Sequence, residues 1–140
     1  MLRALLVDDD EVFAPAIAEI IRQEGFEVTI AGSLAEARAA VRALRPGLLL
    51  VDLALPDGSG LDLAREYADG NLHIILITGY ASLDSAIAAL RIRTIDYLTK
   101  PLDLERLRHL LMRVRLQVDH KDTLRLIDAD GNPAAFGPLV

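Results

Sequence analysis

The chain has 140 residues, 52% hydrophobic and 26% charged, and this size and composition predict one globular domain with a substantial core. A formal net charge of −6 without a basic stripe argues against direct nucleic-acid binding, and the lack of cysteine excludes disulfides, thiol catalysis and thiolate zinc sites. The apolar start is too short for a signal peptide, and no window approaches the roughly 18 apolar residues of a membrane span. We therefore expect a cytoplasmic protein without membrane contact.

Short apolar runs alternate with helical patterns along the chain. The predicted strands are, in order, 3–7, 26–30, 48–51, 73–77 and 95–99. The predicted helices are 11–25, 34–44, 61–68, a segment capped by Ser82 or Asp84 that runs to about 92, and 103–118. Uninterrupted apolar strands are typical of sheets that are buried on both faces. The order predicts a doubly wound α/β fold, in which helices cover both faces of a five-stranded parallel sheet.

Local signals mark the ends and faces of two predicted helices. Ser33 and Glu36 form a capping box at the start of helix 34–44. Pro15 is compatible with helix 11–25 only in the first turn. The apolar spacing of that helix predicts a buried face made of Val12, Ala16, Ile17, Ile20 and Ile21.

Polar side chains follow four of the five predicted strands. Asp8 and Asp9 come after the first strand, Asp52 after the third, Thr78 after the fourth and Lys100 after the fifth. Each residue alone has an ordinary explanation as a helix cap, a strand end or a solvated loop residue. Because open α/β sheets bind ligands beyond the carboxyl ends of their strands, the combination favours a functional site at one edge.

The residue types at this edge indicate a particular chemistry. Three carboxylates brought close together cannot all stay ionised unless a cation neutralises them. Mg²⁺ takes oxygen ligands from one or two carboxylates, phosphate and water. The Thr78 hydroxyl and the Lys100 ammonium are suitable donors to phosphoryl oxygens. The sequence therefore predicts an acidic Mg²⁺ pocket that handles a phosphoryl group.

Four segments of the chain resemble the signature segments of response-regulator receiver domains from two-component signalling. They are LLVDDDEV at 5–12, LLLVDLALPDGSGLDL at 48–63, ILITGYAS at 75–82 and DYLTKPLD at 96–103. The resemblance covers about residues 2–118. It implies a flavodoxin-like strand order of 2-1-3-4-5, which makes the first and third strands neighbours.

The resemblance implies a role for each residue of the pocket. Asp52 would accept a phosphoryl group from a phosphohistidine of a partner histidine kinase. Lys100 would pair with a phosphoryl oxygen, and the peptide before Pro101 is often cis in this family. The implied Mg²⁺ ligands are Asp8, Asp9, Asp52 and the backbone carbonyl of Ala54.

The resemblance also implies a switch. Thr78 would hydrogen-bond the phosphoryl group and draw its loop inward, and Tyr97 would move inward behind it. The phosphorylated protein would then dimerise through the surface formed by helix 82–92, strand 95–99 and helix 103–118. We expect no enzymatic activity beyond promotion of the chain's own phosphorylation and dephosphorylation.

Several nearby residues receive interpretations of their own. Asp10 and Glu11 match no ligand position and are interpreted as first-turn acids favoured by the helix dipole. Gly58 and Gly60 are expected to let the loop curl away and expose the carboxylate of Asp52. Kinase specificity is expected on the first helix, around Phe13, Ile17 and Ile21.

The end of the chain is predicted to lie outside the domain. The domain is expected to cover 1–118, with a linker or tail over 119–140. The ending FGPLV (136–140) is similar to the start of the ATPase module in NtrC-type regulators, so we expect an output domain beyond Val140. Arg93 stands where many receivers have glycine, which affects local detail only. The apolar residues spaced to face the sheet in the last helix are Leu104, Leu107, Leu111, Val114 and Val118. A coiled-coil continuation is the alternative to this packing.

Two alternatives of other classes remain open. A haloacid-dehalogenase-like phosphatase would use Asp8 and Asp10 with Thr78 and Lys100, but it needs a further acidic pair after a later strand and leaves Asp52 without a role. A pseudo-receiver, which acts by interaction alone without phosphorylation, is disfavoured by the intact set of acids.

Overall fold

A computed structural model of the chain describes residues 2–68, 70–79 and 96–125. The strands of this part are β1 (Leu2–Val7), β2 (Phe26–Ala31), β3 (Leu48–Asp52), β4 (Ala54–Leu55), β5 (Gly58–Ser59), β6 (His73–Thr78) and β7 (Asp96–Thr99). The helices are α1 (Phe13–Gln23), α2 (Leu34–Leu44), α3 (Gly60–Glu66) and α4 (Leu104–Arg125). The predicted helix at 82–92, the position of Arg93 and the segment 126–140 with its FGPLV ending lie outside the described residues.

Five strands form one parallel sheet in the order β2-β1-β3-β6-β7. This is the predicted order 2-1-3-4-5, and each of the five lies within one residue of its predicted bounds. The two short strands β4 and β5 form a separate antiparallel hairpin, where the sequence indicated only a loop. The chain therefore has the doubly wound α/β fold, and β1 and β3 are neighbours as expected.

Alternate side chains of the strands point to opposite faces of the sheet, so two separate core clusters form. On one face, Leu6, Leu50 and Ile75 pack among the apolar side chains of α1 and α4. On the other face, Leu49 and Val51 pack among those of α2 and α3. Burial of each such side chain contributes about 1.5–3 kcal/mol. This two-sided burial holds the strand ends, and the polar residues that follow them, in fixed positions.

Helix α1 begins two residues later than predicted, and its buried face differs accordingly. Val12 precedes the helix and is 82% exposed, and Ala16 is also exposed, so both were placed on the wrong face. The buried side chains of this helix are Ala14, Ile17, Ala18 and Ile21. The expectation that Ile17 and Ile21 contact a kinase is therefore wrong, because both pack against the sheet.

The cap of α2 and the place of Pro15 in α1 agree more closely with what the sequence predicts. The Ser33 hydroxyl accepts the N–H of Glu36 at 3.1 Å, and the Glu36 carboxylate accepts the N–H of Gly32 at 2.6 Å. This is the expected capping box, with the return bond shifted by one residue. Pro15 is the third residue of α1, within the first turn as required.

The last described helix is longer than the pattern indicated. Helix α4 runs to Arg125 and so passes through position 118, where the domain was predicted to end. Its predicted inward residues Leu107, Leu111 and Val114 are buried, whereas Leu104 is 40% exposed. The side chain of Val118 lies outside the description. Within the described ranges, no helix is both long and apolar enough to cross a membrane.

Candidate functional site at the carboxyl edge of the sheet

Three charged side chains meet where β1, β3 and β7 end. The Lys100 ammonium donates to Oδ2 of Asp52 at 2.8 Å and to Oδ2 of Asp8 at 3.2 Å. Asp8 is 2% exposed and Asp52 is 6% exposed, so both carboxylates are buried. The parallel pairing of β1 with β3 brings the two acids together, and β7 brings the lysine from beyond β6. Three of the residues predicted for the site therefore form one cluster.

The second oxygen of each buried carboxylate is bound by the backbone. Oδ1 of Asp8 accepts the N–H of Asp10 at 2.9 Å, and Oδ1 of Asp52 accepts the N–H of Ala54 at 3.0 Å. Buried charged groups need such partners, because water no longer solvates them. Both carboxylates are consequently held with Oδ2 towards the lysine.

The cluster carries more negative than positive charge. Burial raises the pKa of Asp8, the bonds from Asp10 and Lys100 oppose this, and the neighbouring Asp52 adds to the rise. Burial alone would lower the pKa of Lys100, but its hydrogen bonds to Asp52 and Asp8 prevail and raise it. The lysine therefore stays charged, and the site would gain from a second cation.

The loop after Asp52 is shaped by a close backbone approach. A Cβ at position 60 would overlap the carbonyl oxygen of Asp52, so only glycine fits there. The N–H of Gly60 donates to the carbonyl of Leu53 at 2.9 Å, which closes the base of the β4–β5 hairpin. Contrary to the prediction, this hairpin does not expose the Asp52 carboxylate, because the ammonium of Lys100 and the N–H of Ala54 cover it.

The tip of the same hairpin is joined to α2 by Asp57, which the sequence analysis missed. Its two carboxylate oxygens accept the N–H groups of Leu34 at 2.8 Å and Ala35 at 3.1 Å. The bond from Leu34 is the main cause of a lowered pKa of Asp57. The sequence PDG signals a turn, but only the tertiary structure shows that the turn caps another element.

Asp10 has a structural function at the start of α1. Its Oδ1 accepts the N–H groups of Val12 and Phe13, both at 2.9 Å, and these bonds lower its pKa. The helix begins at Phe13, so the interpretation of Asp10 and Glu11 as first-turn acids is wrong in position. The phosphatase alternative needs Asp10 as a reacting group, and this engagement with the helix start argues against it.

Asp9 is exposed, unlike Asp8 and Asp52, the two buried acids of the cluster. It lines an open depression of about 510 Å³ together with Asp8, Asp10, Glu11, Ala14, Pro15, Ile30, Gly32, Ser33 and Glu36. Among the residues that the structure describes, no group of three His, Cys, Asp or Glu side chains is arranged to hold a metal. The adjacent carboxylates of Asp8 and Asp52, which carry more negative charge than Lys100 neutralises, nevertheless fit a cation such as Mg²⁺. This ion uses few protein ligands and keeps several waters.

Thr78 and Tyr97 lie on the two strands beside the cluster. Thr78 is 3% exposed at the end of β6, and its carbonyl accepts the N–H of Lys100 at 2.7 Å. Tyr97 is half-buried against the core on the α2 and α3 face. The peptide between Lys100 and Pro101 is cis, as the resemblance implied. Both expected switch residues are thus close in sequence or space to Lys100.

Phe13 also contacts the cluster, whereas the sequence indicated a place for it only on the surface expected to bind the kinase. The Lys100 ammonium lies 4.2 Å from the centroid of its ring, within the range of cation–π attraction. Phe13 is the first residue of α1, and its side chain packs against the core cluster on the α1 and α4 face. In the sequence, Phe13 is only an apolar residue four positions after Asp9. That position does not tell whether its ring packs in the core or contacts the lysine.

Comparison with known proteins agrees with this geometry. The photosynthetic apparatus regulatory protein RegA of Cereibacter sphaeroides is 39% identical over 110 residues, which cover 77% of this chain and 60% of RegA. A CheY-like receiver domain protein of Methanospirillum hungatei superposes with a TM-score of 0.75 at 30% identity, over 88% of this chain and 98% of that one. The chain spans 49–60% of the curated relatives RegA, TcrX and DpiA.

One solved relative contains the relevant chemical groups. A response regulator of Burkholderia pseudomallei, whose structure includes a phosphorylated aspartic acid, a calcium ion and citrate, has a TM-score of 0.73 at 31% identity. The match covers 89% of this chain and 75% of that one. The family model of the response regulator receiver domain matches residues 4–112, most of the sequence. The chain belongs to the response regulator receiver domain family, whose members take part in two-component signalling.

Proposed function

We propose that Asp52 accepts a phosphoryl group from a phosphohistidine on a histidine kinase, and that this modification changes the surface around Thr78 and Tyr97. The main supporting observation is that Asp52 and Asp8 share the ammonium of Lys100 at the carboxyl edge of the sheet. Of the two acids, Asp52 makes the shorter contact with the lysine and precedes the glycine-dependent hairpin.

The chemistry requires a carboxylate nucleophile and neutralisation of the phosphoryl oxygens. A carboxylate oxygen of Asp52 attacks the phosphorus, an O–P bond forms, the P–N bond breaks, and the imidazole leaves with the electron pair. Lys100 neutralises charge on a phosphoryl oxygen, and the Thr78 hydroxyl donates a hydrogen bond to another. Mg²⁺, held by Asp8, Asp9, Asp52 and the carbonyl of Ala54, would supply further positive charge at the same oxygens.

The chain would act only on itself in this reaction. It would promote its own phosphorylation and later hydrolysis, without turning over a separate substrate as an enzyme does. The phosphorylated form would dimerise through the surface that includes β7, α4 and the predicted helix at 82–92. This chain matches only 57% of the transcriptional regulatory protein DpiA, which supports the proposal that an output domain controlling transcription follows it.

The site of modification tests the proposal directly. The chain is incubated with acetyl phosphate and Mg²⁺, the acyl phosphate is reduced with borohydride, and the labelled residue is identified by mass spectrometry. Label at Asp52, lost in Asp52→Asn, is the expected result. Label at Asp8 with rapid release of inorganic phosphate would instead support the phosphatase alternative. Complete absence of label, also with a phosphorylated kinase as donor, would support a pseudo-receiver.

A further inference from the structure

We infer that Phe13 is a positioning residue for Lys100, and that its ring holds the ammonium at the place where the phosphoryl group arrives. The inference rests on the proposed function of Lys100 as the partner of a phosphoryl oxygen. It assigns Phe13 a role inside the site, whereas the sequence suggested contact with a kinase.

Three side chains among the described residues contact the ammonium of Lys100. Two are the carboxylates of Asp52 and Asp8, at 2.8 Å and 3.2 Å, and the third is the ring of Phe13, at 4.2 Å. The lysine side chain is only 23% exposed, so its ammonium is solvated mainly by these three neighbours and only little by water. Attraction to a ring face is strongest for an ammonium that has lost part of its hydration, which is the situation here.

The ring differs from the two acids in one important respect. The attraction of Asp8 and Asp52 for the lysine weakens when another cation binds them or when Asp52 is modified, because both carry formal charge. The ring is neutral, so its contribution does not change with those events. Phe13 can therefore keep Lys100 near Asp52 while the charges around it are redistributed.

A closed series of contacts fixes the ring relative to the site. Oδ1 of Asp8 accepts the N–H of Asp10, and Oδ1 of Asp10 accepts the N–H of Phe13. The ring of Phe13 contacts the ammonium of Lys100, which donates to Oδ2 of Asp8. Asp10, which matches no metal-ligand position, therefore has a structural role in the site. It connects Asp8 to Phe13, the residue that supports the lysine.

The contact itself is tested by NMR on the unmodified protein. The sequence has only two lysines, Lys100 and Lys121, so ε-¹³C-lysine labelling gives two ε-methylene signals, which Lys121→Arg assigns. A ring face near the ammonium shifts the Lys100 ε-protons upfield. We expect Phe13→Leu to remove this shift and Phe13→Tyr to keep it. A Lys100 signal that is unchanged in Phe13→Leu would overturn the inference, whether or not Asp52 is phosphorylated.

The consequence for chemistry is tested with the same variants. The rate of Asp52 labelling by acetyl phosphate and the affinity for beryllofluoride, a phosphoryl mimic, should both fall about threefold to tenfold in Phe13→Leu and recover in Phe13→Tyr. Ile20→Ala is the matched control, since Ile20 lies two turns further along α1 and packs on the same cluster. Urea unfolding of each variant shows how much stability is lost.

The outcomes separate the inference from the proposed function. If Phe13→Leu and Ile20→Ala lower labelling equally, or if Phe13→Tyr fails to restore it, Phe13 is an apolar anchor only and the inference is wrong. If the wild-type chain is not labelled at Asp52 at all, the proposed function fails. The NMR result then still decides whether the ring supports the lysine.

Discussion

Two groups of charged residues near β7 show that a short ion-pair distance does not by itself indicate a large effect on stability or chemistry. Arg106 binds Asp96 through two oxygens, at 2.6 Å and 2.7 Å, and both contacts are shorter than those between Lys100 and its two acids. However, the Arg106 side chain is 54% exposed, whereas the carboxylates of Asp8 and Asp52 have side-chain exposures of only 1% and 8%. In this pair the arginine is open to water, and the Asp96 side chain is itself 21% exposed.

The difference in burial decides which group affects stability and chemistry. Exposed ion pairs contribute about 0–1 kcal/mol, because water and salt screen them and both side chains lose freedom. Removal of one partner from a buried group leaves a charge that nothing compensates, and this costs about 3–5 kcal/mol. The buried cluster also holds two acids for one base, so it attracts a further cation. Four substitutions test this contrast, and we present them from the largest expected effect to the smallest.

Replacement of the lysine should have the largest effect. Lys100→Met leaves Asp8 and Asp52 adjacent and buried without their cation, so we expect a loss of about 3 kcal/mol in the free energy of unfolding at pH 7. Burial raises the pKa of Asp8 above its ordinary value of 3.8, so Asp8 is neutral near pH 3 and much of this loss should disappear there. Urea unfolding without divalent cations, at both pH values, measures it.

A second substitution controls for lost packing. Asp52→Asn in the Lys100→Met background removes one of the unpaired charges and should recover part of the stability at pH 7, which a double-mutant cycle quantifies. An equal loss at pH 7 and pH 3, without recovery in the double variant, would show that Lys100 acts through its aliphatic chain rather than its charge.

A methyl group on the backbone beside the cluster should have the next largest effect. Gly60→Ala places a Cβ against the carbonyl of Asp52, so the hairpin must shift, and we expect a loss of about 2 kcal/mol. Gly47→Ala is the matched control, because in the described part of the chain no heavy atom lies within 4 Å of a Cβ at that position and stability should hardly change. Thermal unfolding of both variants makes the comparison, and similar melting temperatures would contradict this view of the loop.

Most of the fold could be predicted from the sequence, because strong signals repeat in it. The central strands β3 and β6 are nearly continuous apolar runs, which burial on both faces accommodates, and the strand order followed once the family resemblance was added. The position of α1 was less clear, since Val12 fits the helical spacing but lies before the helix, where Asp10 caps it. Local spacing cannot detect which acid takes the backbone N–H groups.

The candidate site was predictable in part, for a similar reason. Strand ends bring Asp8, Asp52 and Lys100 to one edge whatever their side chains do, and the structure places them in contact. The contributions of Phe13 and Asp57 depend on contacts between elements that are distant in sequence. No pattern within a short stretch of sequence can show such contacts. Neither residue carries a sequence signal as strong as that of the acids at 8–11.

Neutralisation of Asp8 should have a smaller effect with the opposite sign. Burial raises the pKa of Asp8, so its contribution to stability is present below the ordinary value of 3.8 and is lost as the pH rises through the raised value. Asp8→Asn should therefore raise stability at pH 7 by about 1 kcal/mol without divalent cations and leave it unchanged near pH 3. Asn keeps the oxygen that accepts the N–H of Asp10.

Divalent cations should reverse this order. A ligand stabilises the folded state more when it binds more tightly, so Mg²⁺ should stabilise the wild-type chain more than Asp8→Asn. Urea unfolding with and without millimolar Mg²⁺ measures both parts of the prediction. If Asp8→Asn is less stable than the wild type at pH 7 in the absence of Mg²⁺, the bond to Lys100 outweighs the burial of the charge.

Loss of the exposed pair should have the smallest effect, despite its short distances. Arg106→Gln removes the guanidinium and its three contacts with Asp96, but Asp96 stays partly accessible to water and still accepts the N–H of Tyr97 at 2.7 Å. We therefore expect a change of about 0.5 kcal/mol or less in urea unfolding at low salt, and a smaller one at about 0.5 M salt, where screening is strong. A loss comparable to that of Lys100→Met, insensitive to salt, would mean that distance rather than burial determines the energetics at this edge. Since Asp96 precedes Tyr97, phosphorylation-dependent dimerisation measured in the same variant would also show whether this pair affects the switch separately from stability.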